Sequence, residues 1–193
     1  LGMNVGTPGA ANPRCSTVTT VTCDSNAAGH KAGDLIVTEF MADPDGTDTG
    51  SEWIEIYNTL DTPVDLKDLT LYFKDTDGTG LKKHVMGNSL VGAKGYFVVG
   101  DVRSGANPAW VNYAYGDDLG ALGNSRGVVG LECNGITVTE RSYTAPVKSA
   151  RSRMLNGGLG TPSTTLSAAE SNYCDAPAGT VYCGNNTGSP GAA

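Results

Sequence analysis

The sequence has little charge, few aromatic residues and no excess of basic residues. Of its 193 residues, 17% are charged and 7% are aromatic, and 20 Asp and Glu outnumber 13 Lys and Arg. An acidic surface repels a phosphate backbone, which excludes nucleic acid as the main partner. No apolar run approaches the roughly 18 residues that a membrane span needs, so we expect no membrane insertion. The length corresponds to one globular domain.

Apolar and polar residues alternate with a period of two, which predicts β-strands rather than helices. The pattern is clearest at residues 34–41 and 52–58. Turns rich in Asp, Gly and Pro separate the further predicted strands. These strands span residues 64–66, 69–74, 82–85, 96–100 and 111–115, and a hairpin follows over residues 129–140. Seven to nine short strands at this spacing predict an all-β sandwich.

The dipeptide Asn134-Gly135 predicts the turn of this hairpin, because both residues readily adopt a positive φ. A two-residue turn pairs Cys133 with Ile136 and Leu131 with Val138, and points these side chains to one face.

Cys133 is predicted to be a small buried apolar side chain. A catalytic thiol is the alternative, and it requires a general base. The only histidines are His30, in a Gly-rich stretch, and His84, in a Lys-rich stretch. Neither position favours the catalytic interpretation.

The other four cysteines bear on the compartment of the protein. Cys15 and Cys23 enclose seven residues, and Cys174 and Cys183 enclose eight, in polar segments. Each pair is predicted to close a small disulfide loop, which contributes about 2–3 kcal/mol where no apolar core can form. Two such loops predict an extracellular or cell-surface protein; free thiols of a cytosolic protein are the alternative.

Both ends of the chain are rich in Gly, Thr, Ser, Asn and Pro. Residues 155–193 are predicted to be loops held by the second disulfide, with one helical turn at residues 167–172. We expect residues 1–33 to form an N-terminal extension or linker that holds the first disulfide loop. Residues 34–193 are expected to form the sandwich, with the Cys174–Cys183 loop in its tail.

The two ends also share a motif. Gly6-Thr-Pro-Gly-Ala-Ala-Asn12 matches Gly188-Ser-Pro-Gly-Ala-Ala193 at five of six positions, and the sixth is Thr in place of Ser. This predicts one unit of a tandem array, or a subunit whose tail equals the head of the next. Coincidence between two ends of low complexity is the alternative.

Four segments carry a family resemblance: Asp34-Leu-Ile-Val-Thr-Glu-Phe-Met-Ala-Asp-Pro44, Gly50-Ser-Glu-Trp-Ile-Glu-Ile-Tyr-Asn58, Pro63-Val-Asp-Leu-Lys-Asp-Leu69 and Val91-Gly-Ala-Lys-Gly-Tyr-Phe-Val-Val99. They resemble the lamin-tail domain as found in secreted bacterial proteins, and the final Gly-Ser-Pro-Gly-Ala-Ala resembles the closing motif of that family. The resemblance spans about residues 33–193. It implies an immunoglobulin-like β-sandwich and an accessory, anchoring or assembly role rather than catalysis.

Four carboxylates form a candidate calcium site. Asp43, Asp45 and Asp48 lie in a Gly- and Pro-containing turn, and Glu52 lies at its exit. Like charges ~4 Å apart repel by about 1 kcal/mol in water, and a cation would relieve that repulsion. Hard oxygen ligands on a flexible loop suit calcium, although no bidentate Glu occupies the twelfth position. Turn formation and solubility are the simpler explanation of these residues.

Glu39 and Glu55 raise the question of paired-carboxylate catalysis, as in glycosidases. Both lie in the middle of predicted strands, where Glu39 shares a face with Leu35 and Val37, and we interpret both as structural. A sugar-binding platform of aromatic residues is a further hypothesis, with ordinary strand packing as its alternative. Its candidate members are Trp53, Tyr57, Trp110, Tyr113 and Tyr115. Since no nucleophile elbow or phosphate-binding loop is present, we expect no enzyme and assign no catalytic residue.

The sequence therefore predicts a non-enzymatic extracellular structural module that joins copies of itself into a filament, layer or tandem array. Residues 12–23 could add a strand to the sheet edge of a neighbour, with Val18 and Val21 as the assembling side chains. The alternative is an adhesion module, accessory to a larger secreted protein, that binds calcium or surface glycans.

Overall fold

A computed structural model of the chain describes residues 22–23 and 29–192. Within this part the chain forms fourteen β-strands, one short α-helix and two 3₁₀ turns. The strands are β1 Leu35–Met41, β2 Trp53–Asn58, β3 Val64–Asp65, β4 Thr70–Lys74, β5 Lys82–Val85, β6 Leu90–Val91, β7 Tyr96–Gly100, β8 Tyr113–Ala114, β9 Gly127–Cys133, β10 Ile136–Tyr143, β11 Arg153–Leu155, β12 Tyr173–Asp175, β13 Val181–Cys183 and β14 Asn186–Thr187. The helix α1 spans Thr164–Ala168, and the 3₁₀ turns span Gly157–Leu159 and Glu170–Asn172.

Two sheets form the body of the protein. The larger has the strand order β12-β11-β1-β2-β7-β8, and the smaller has the order β10-β9-β4-β5. All neighbours in these sheets are antiparallel except β7 and β8, which are parallel. Two further two-stranded ribbons are β3-β6 and β13-β14. The predicted all-β sandwich is confirmed.

The core lies between the two sheets, because alternate residues of each strand point to it. Ile54 and Ile56 of β2 are fully buried, and Leu71 of β4 and Leu131 of β9 meet them from the opposite sheet. Each such side chain contributes roughly 1.5–3 kcal/mol on burial. Apolar residues of both sheets form one continuous cluster.

A β-bulge corrects the predicted orientation of Glu39. The register of β1 against β2 shifts between Val37 and Glu39. Val37 and Phe40 therefore belong to the inter-sheet core, whereas Glu39 lies on the outer face of the larger sheet beside its partner Glu55. The predicted shared face of Glu39 and Val37 is wrong, because a bulge inverts the alternation beyond it.

The hairpin turn is confirmed, with φ of 48° at Asn134 and 80° at Gly135, and Cys133 pairs with Ile136. The next predicted pair is wrong. A second register shift on β10 pairs Leu131 with Thr139. Ile136 is 57% exposed at the tip of the hairpin, so it does not share the burial of Cys133.

The segment after residue 143 contains more structure than its composition predicts. Strands β11 and β12 extend the larger sheet, and β13 and β14 form their own ribbon. Strands β12 to β14 lie in residues expected to be loops, and no strand was predicted at β11. A helical turn occurs near the expected place, but it begins earlier. Ser163 caps α1 by accepting a hydrogen bond from the Leu166 amide at 3.3 Å, four residues before the expected start of the turn at residue 167.

The predicted disulfide pairing is wrong. Cys23 pairs with Cys133, 110 residues away, with a Cα–Cα distance of 5.6 Å. Cys174 and Cys183 are exposed free thiols. The expected Cys174–Cys183 loop is not formed: Cys174 lies in β12 of the larger sheet and Cys183 in the β13-β14 ribbon. Cys15, the expected partner of Cys23, lies outside the described residues.

Candidate functional site: the seat of the C-terminal motif

Two glutamates lie side by side on the outer face of the larger sheet. Glu39 on β1 and Glu55 on β2 are direct cross-strand partners, and each is only 1% exposed. Carboxylates directly opposite each other repel, and burying them costs free energy unless hydrogen bonds compensate. The pair therefore requires donors from elsewhere in the chain.

Glu39 receives its donors from two serines. The Ser152 hydroxyl donates to Oε1, the Ser189 amide donates to Oε1 at 2.9 Å, and the Ser189 hydroxyl donates to Oε2 at 2.8 Å.

Glu55 is satisfied in the same manner. The Thr38 hydroxyl donates to Oε1 at 2.6 Å, and the Gly191 amide donates to Oε2 at 2.7 Å. Every oxygen of the two carboxyl groups thus accepts a hydrogen bond. Three of these five donors belong to the shared motif at residues 188–193, called the C-terminal motif below.

Burial dominates the protonation of this pair. It raises the pKa of Glu55 to about 8, and the neighbouring Glu39 adds to the rise, while the bonds from Thr38 and Gly191 oppose it. Burial also raises the pKa of Glu39, against the hydrogen bonds from Ser152 and Ser189. The site therefore has a charge state that depends on pH near neutrality.

The C-terminal motif folds as a tight turn against the glutamates. The Ala192 amide donates to the Ser189 carbonyl at 3.0 Å, Pro190 occupies the second position, and Gly191 has a φ of 85°. These are the features of a type II β-turn, which favours Pro at its second and Gly at its third position. The turn aims the amides of Ser189 and Gly191 at the two carboxylates.

Gly188 is required for a different reason. A Cβ at this position would lie 2.8 Å from Glu39 Oε1 and 2.9 Å from Ser152 Oγ. Only a residue without a side chain can approach so closely.

The ribbon that precedes the motif is anchored by Tyr182. The Trp53 indole donates to the Tyr182 hydroxyl at 2.8 Å, and the two rings meet edge to face with centroids 5.7 Å apart. Trp110 packs against the other side of Tyr182 at 5.0 Å. The C-terminal segment therefore covers the outer face of β1 and β2 over two contiguous contacts, one aromatic and one polar.

A cavity of about 560 Å³ opens beside this polar contact. Its wall includes Glu39, Glu55, Tyr57, Tyr96 and Ala192. Among the described residues that line it there is no histidine. Both carboxyl groups are engaged by hydrogen bonds from Ser189 and Gly191 of the motif, so the geometry favours a structural role for the pair.

The two histidines lie elsewhere. His30 is buried with Nε2 3.1 Å from the Asp65 carbonyl oxygen. His84 lies with Nδ1 2.7 Å from an Asp118 carboxylate oxygen and Nε2 2.9 Å from the Tyr113 hydroxyl. Cys133 is buried within its disulfide, so the catalytic-thiol alternative is wrong.

The candidate calcium ligands do not converge. Both oxygens of Glu52 accept from the Leu122 amide, at 2.9 and 3.1 Å. Asp45 accepts from the Asn185 side chain at 2.7 Å. Burial raises the pKa of Asp48, and the charge of the neighbouring Asp43 adds to the rise.

In residues 22–23 and 29–192 no group of three or more His, Cys, Asp or Glu side chains is placed to hold a metal ion. The geometry gives the calcium site no support, and it stays a prediction.

The aromatic side chains proposed as a sugar platform are divided between places. Trp53, Tyr57 and Tyr115 are buried, which agrees with strand packing. Trp110 joins the Trp53 cluster, whereas Tyr113 contacts His84. The expected assembling residues Val18 and Val21 lie outside the described part of the chain.

Sequence reasoning identified Glu39, Glu55 and the terminal motif, but it did not connect them. The contact joins residues about 150 positions apart, since Ser189 donates to Glu39. The available signal was the motif itself. Its Pro-Gly pair predicts a turn with free amides, and two mid-strand glutamates are acceptors in need of donors.

The fold and this site define a class of protein: an immunoglobulin-like β-sandwich module whose own C-terminal segment completes one face of it. A family model described as Lamin Tail Domain matches residues 28–145, which is more than half of the chain, and the chain belongs to that family. Its immunoglobulin-like domains are structural or binding modules and are generally non-catalytic. The matched range contains β1, β2 and both glutamates and ends before β11. No curated protein matches the sequence at a significant level.

Proposed function

We propose that the chain is an extracellular, non-enzymatic structural module that joins copies of itself through a terminal segment. The observation that carries this proposal is the seating of residues 188–192 on Glu39 and Glu55. A terminal segment that serves as a ligand of the sandwich can also be donated between copies, and a contact that does not close on itself gives a filament or array.

The Cys23–Cys133 disulfide supports the extracellular part of the proposal, because disulfides persist in oxidising compartments. It also joins Cys23 to the end of β9. No helix in the described part of the chain is long and apolar enough to cross a membrane.

The smaller sheet offers an open edge for strand addition. Within the part of the chain that the structure describes, strand β5 is paired on one side alone. Leu81, just before this strand, is 50% exposed, and Val85, its last residue, is 63% exposed. Lys82 and Lys83 on the same strand limit non-selective pairing. Residues 12–23, with Val18 and Val21, are the proposed added strand.

Sedimentation velocity from micromolar to millimolar concentration, with negative-stain microscopy, tests assembly. We expect species larger than the monomer whose share rises with concentration. Val18→Asp with Val21→Asp should abolish them, and the exposed Val181→Asp is the matched control. A monomer at every concentration contradicts assembly.

Glycan binding is a second proposed function, favoured by the cavity beside Glu55. Its volume of about 560 Å³ lies in the range of roughly 300–1,000 Å³ typical of ligand pockets. The rings of Tyr57 and Tyr96 stand 4.8 Å apart on its wall, with Lys94 nearby. Calorimetric titration with oligosaccharides tests this function, and Tyr96→Ala should remove any binding. No heat with any oligosaccharide would exclude it.

A further inference from the structure

We propose that the Glu39–Glu55 site also binds the N-terminal motif, Gly6-Thr-Pro-Gly-Ala-Ala11, of a second copy of the chain. The inference rests on the proposed function, since it names the segment and the site through which two copies join. Its support is that the structure gives a specific role to each position of the C-terminal motif that makes contact, and that the N-terminal motif meets each requirement.

The glycines are the most demanding positions. The first must lack a side chain, because a Cβ at Gly188 would meet Glu39 at 2.8 Å, and Gly6 satisfies this requirement. The second must adopt a positive φ, as Gly191 does at 85°, and Gly9 can adopt it freely. Two glycines at this separation are therefore a geometric requirement of the site.

The remaining positions require a hydroxyl and a proline. The Ser189 hydroxyl donates to Glu39 Oε2 at 2.8 Å, and Thr7 carries the same donor. Pro190 fixes φ for the second position of the type II turn, and Pro8 does the same. The one difference between the motifs, Thr for Ser, thus keeps the group that touches the carboxylate.

The two motifs compete for one site. The C-terminal motif follows directly on β14 and has the advantage of an intramolecular ligand, with an effective concentration on the order of millimolar. The N-terminal motif of another copy therefore binds when copies are held at similar local concentration, as in an array, or when the C-terminal motif is removed.

The first test uses a single substitution in the full chain. Ser189→Thr makes the C-terminal motif identical to the N-terminal one, and Ser189→Val is its matched control, with the shape of Thr and no hydroxyl. We expect Ser189→Thr to keep the wild-type melting temperature, while Ser189→Val lowers it by about 5 °C. An equal loss in both variants would overturn the proposal, since the site would then reject the N-terminal motif.

The second test measures binding directly. The acceptor is the chain ending at residue 187, and the probe is the peptide Gly-Thr-Pro-Gly-Ala-Ala-Asn of residues 6–12. We expect the peptide to bind and to raise the melting temperature of the acceptor, whereas a peptide carrying Gly9→Val does not. If the acceptor is folded and the peptide gives neither heat nor shift at millimolar concentration, the proposal is wrong. If the acceptor does not fold, the comparison of Ser189→Thr with Ser189→Val in the full chain decides whether the proposal holds.

The third test separates this inference from assembly itself. Thr7→Val with Gly9→Val in the full chain should abolish larger species in sedimentation. Species that survive this change but not Val18→Asp with Val21→Asp support assembly by strand addition and contradict the motif exchange. Peptide binding by a chain that stays monomeric supports the site and contradicts assembly.

Discussion

Replacing Glu55 with glutamine should remove a pH-dependent cost from the folded state. The amide oxygen of the introduced side chain can accept from Gly191, and its NH₂ can donate to the Thr38 hydroxyl, which also accepts hydrogen bonds. Both contacts of the wild-type carboxylate are thereby retained. What changes is the charge. At a pH above the pKa of Glu55 the native carboxyl group is ionised, and the folded protein must keep that charge buried.

The magnitude follows from the raised pKa. Burial raises the pKa of Glu55 from 4.5 to about 8. At roughly 1.4 kcal/mol per unit, this corresponds to at most about 5 kcal/mol. Because the folded state binds a proton that the unfolded state has released, the associated stability is fully present below pH 4.5 and is lost as pH rises to about 8.

Circular dichroism melting at several values between pH 4 and pH 9 measures this effect. One kcal/mol shifts the melting temperature by roughly 2–4 °C for a chain of this size, so Glu55→Gln should exceed the wild type by up to about 10–20 °C at pH 9. At pH 4 the two should melt together.

The control is Glu170→Gln. Burial tends to raise the pKa of Glu170, but hydrogen bonds from Thr144 and Ala145 together outweigh it and lower that pKa. Any effect of Glu170→Gln on the melting temperature should therefore change with pH only at the acid end of the measured range. A Glu55→Gln curve as steep as that of the wild type between pH 5 and pH 8 would refute the reasoning.

Four further outcomes are expected. Cys133→Ala should cost about 2–4 kcal/mol by opening the link between residues 110 positions apart, and melting that is insensitive to both this change and reductant contradicts it. Gly188→Ala should cost about 1–3 kcal/mol through the clash with Glu39, whereas Gly179→Ala, where a Cβ meets nothing within 4 Å, should melt like the wild type. Tyr182→Phe should cost about 1–3 kcal/mol because it leaves the buried Trp53 indole without an acceptor; an unchanged melting temperature denies the bond. EDTA should leave the melting curve unchanged, because among the described residues no three carboxylates lie close enough to hold calcium, and a lowered melting temperature would contradict this.

The longer strands could be predicted from the sequence, because alternating apolar and polar residues mark the strands and turn residues mark their ends. Strands β5 and β7 lie at the predicted residues, bounded by turns with Gly, Pro and Asp. Strands β11 to β14 have two or three residues each, which is too short for an alternation to appear. Strands β11 and β12 form because the larger sheet offers them an edge, and β13 and β14 form by pairing with each other; both depend on the tertiary fold.

The disulfide between Cys23 and Cys133 could not be predicted from neighbouring residues, because it joins positions far apart in the sequence. The prediction that Cys15 pairs with Cys23 rested on their local spacing in a polar segment. The fold instead brings Cys23 to Cys133 at the end of β9. The predicted orientation of Glu39 was wrong for a related reason. A single bulge residue moves the following side chains to the opposite face of the sheet without altering the composition of the strand.

The buried Glu39 and Glu55 make the site that holds the C-terminal motif selective for its ligand. Two apolar residues would commonly be as stable or more so, since burying two carboxyl groups costs free energy that hydrogen bonds only offset. With Glu39 and Glu55 in place, an empty seat exposes the carboxylates to each other and removes three of their five donors. An apolar peptide could not repair that loss, whereas a turn with a hydroxyl and two directed amides does. The face of β1 and β2 therefore favours occupation by this one motif, and a chain that carries the motif at both ends supplies two competing ligands for one seat.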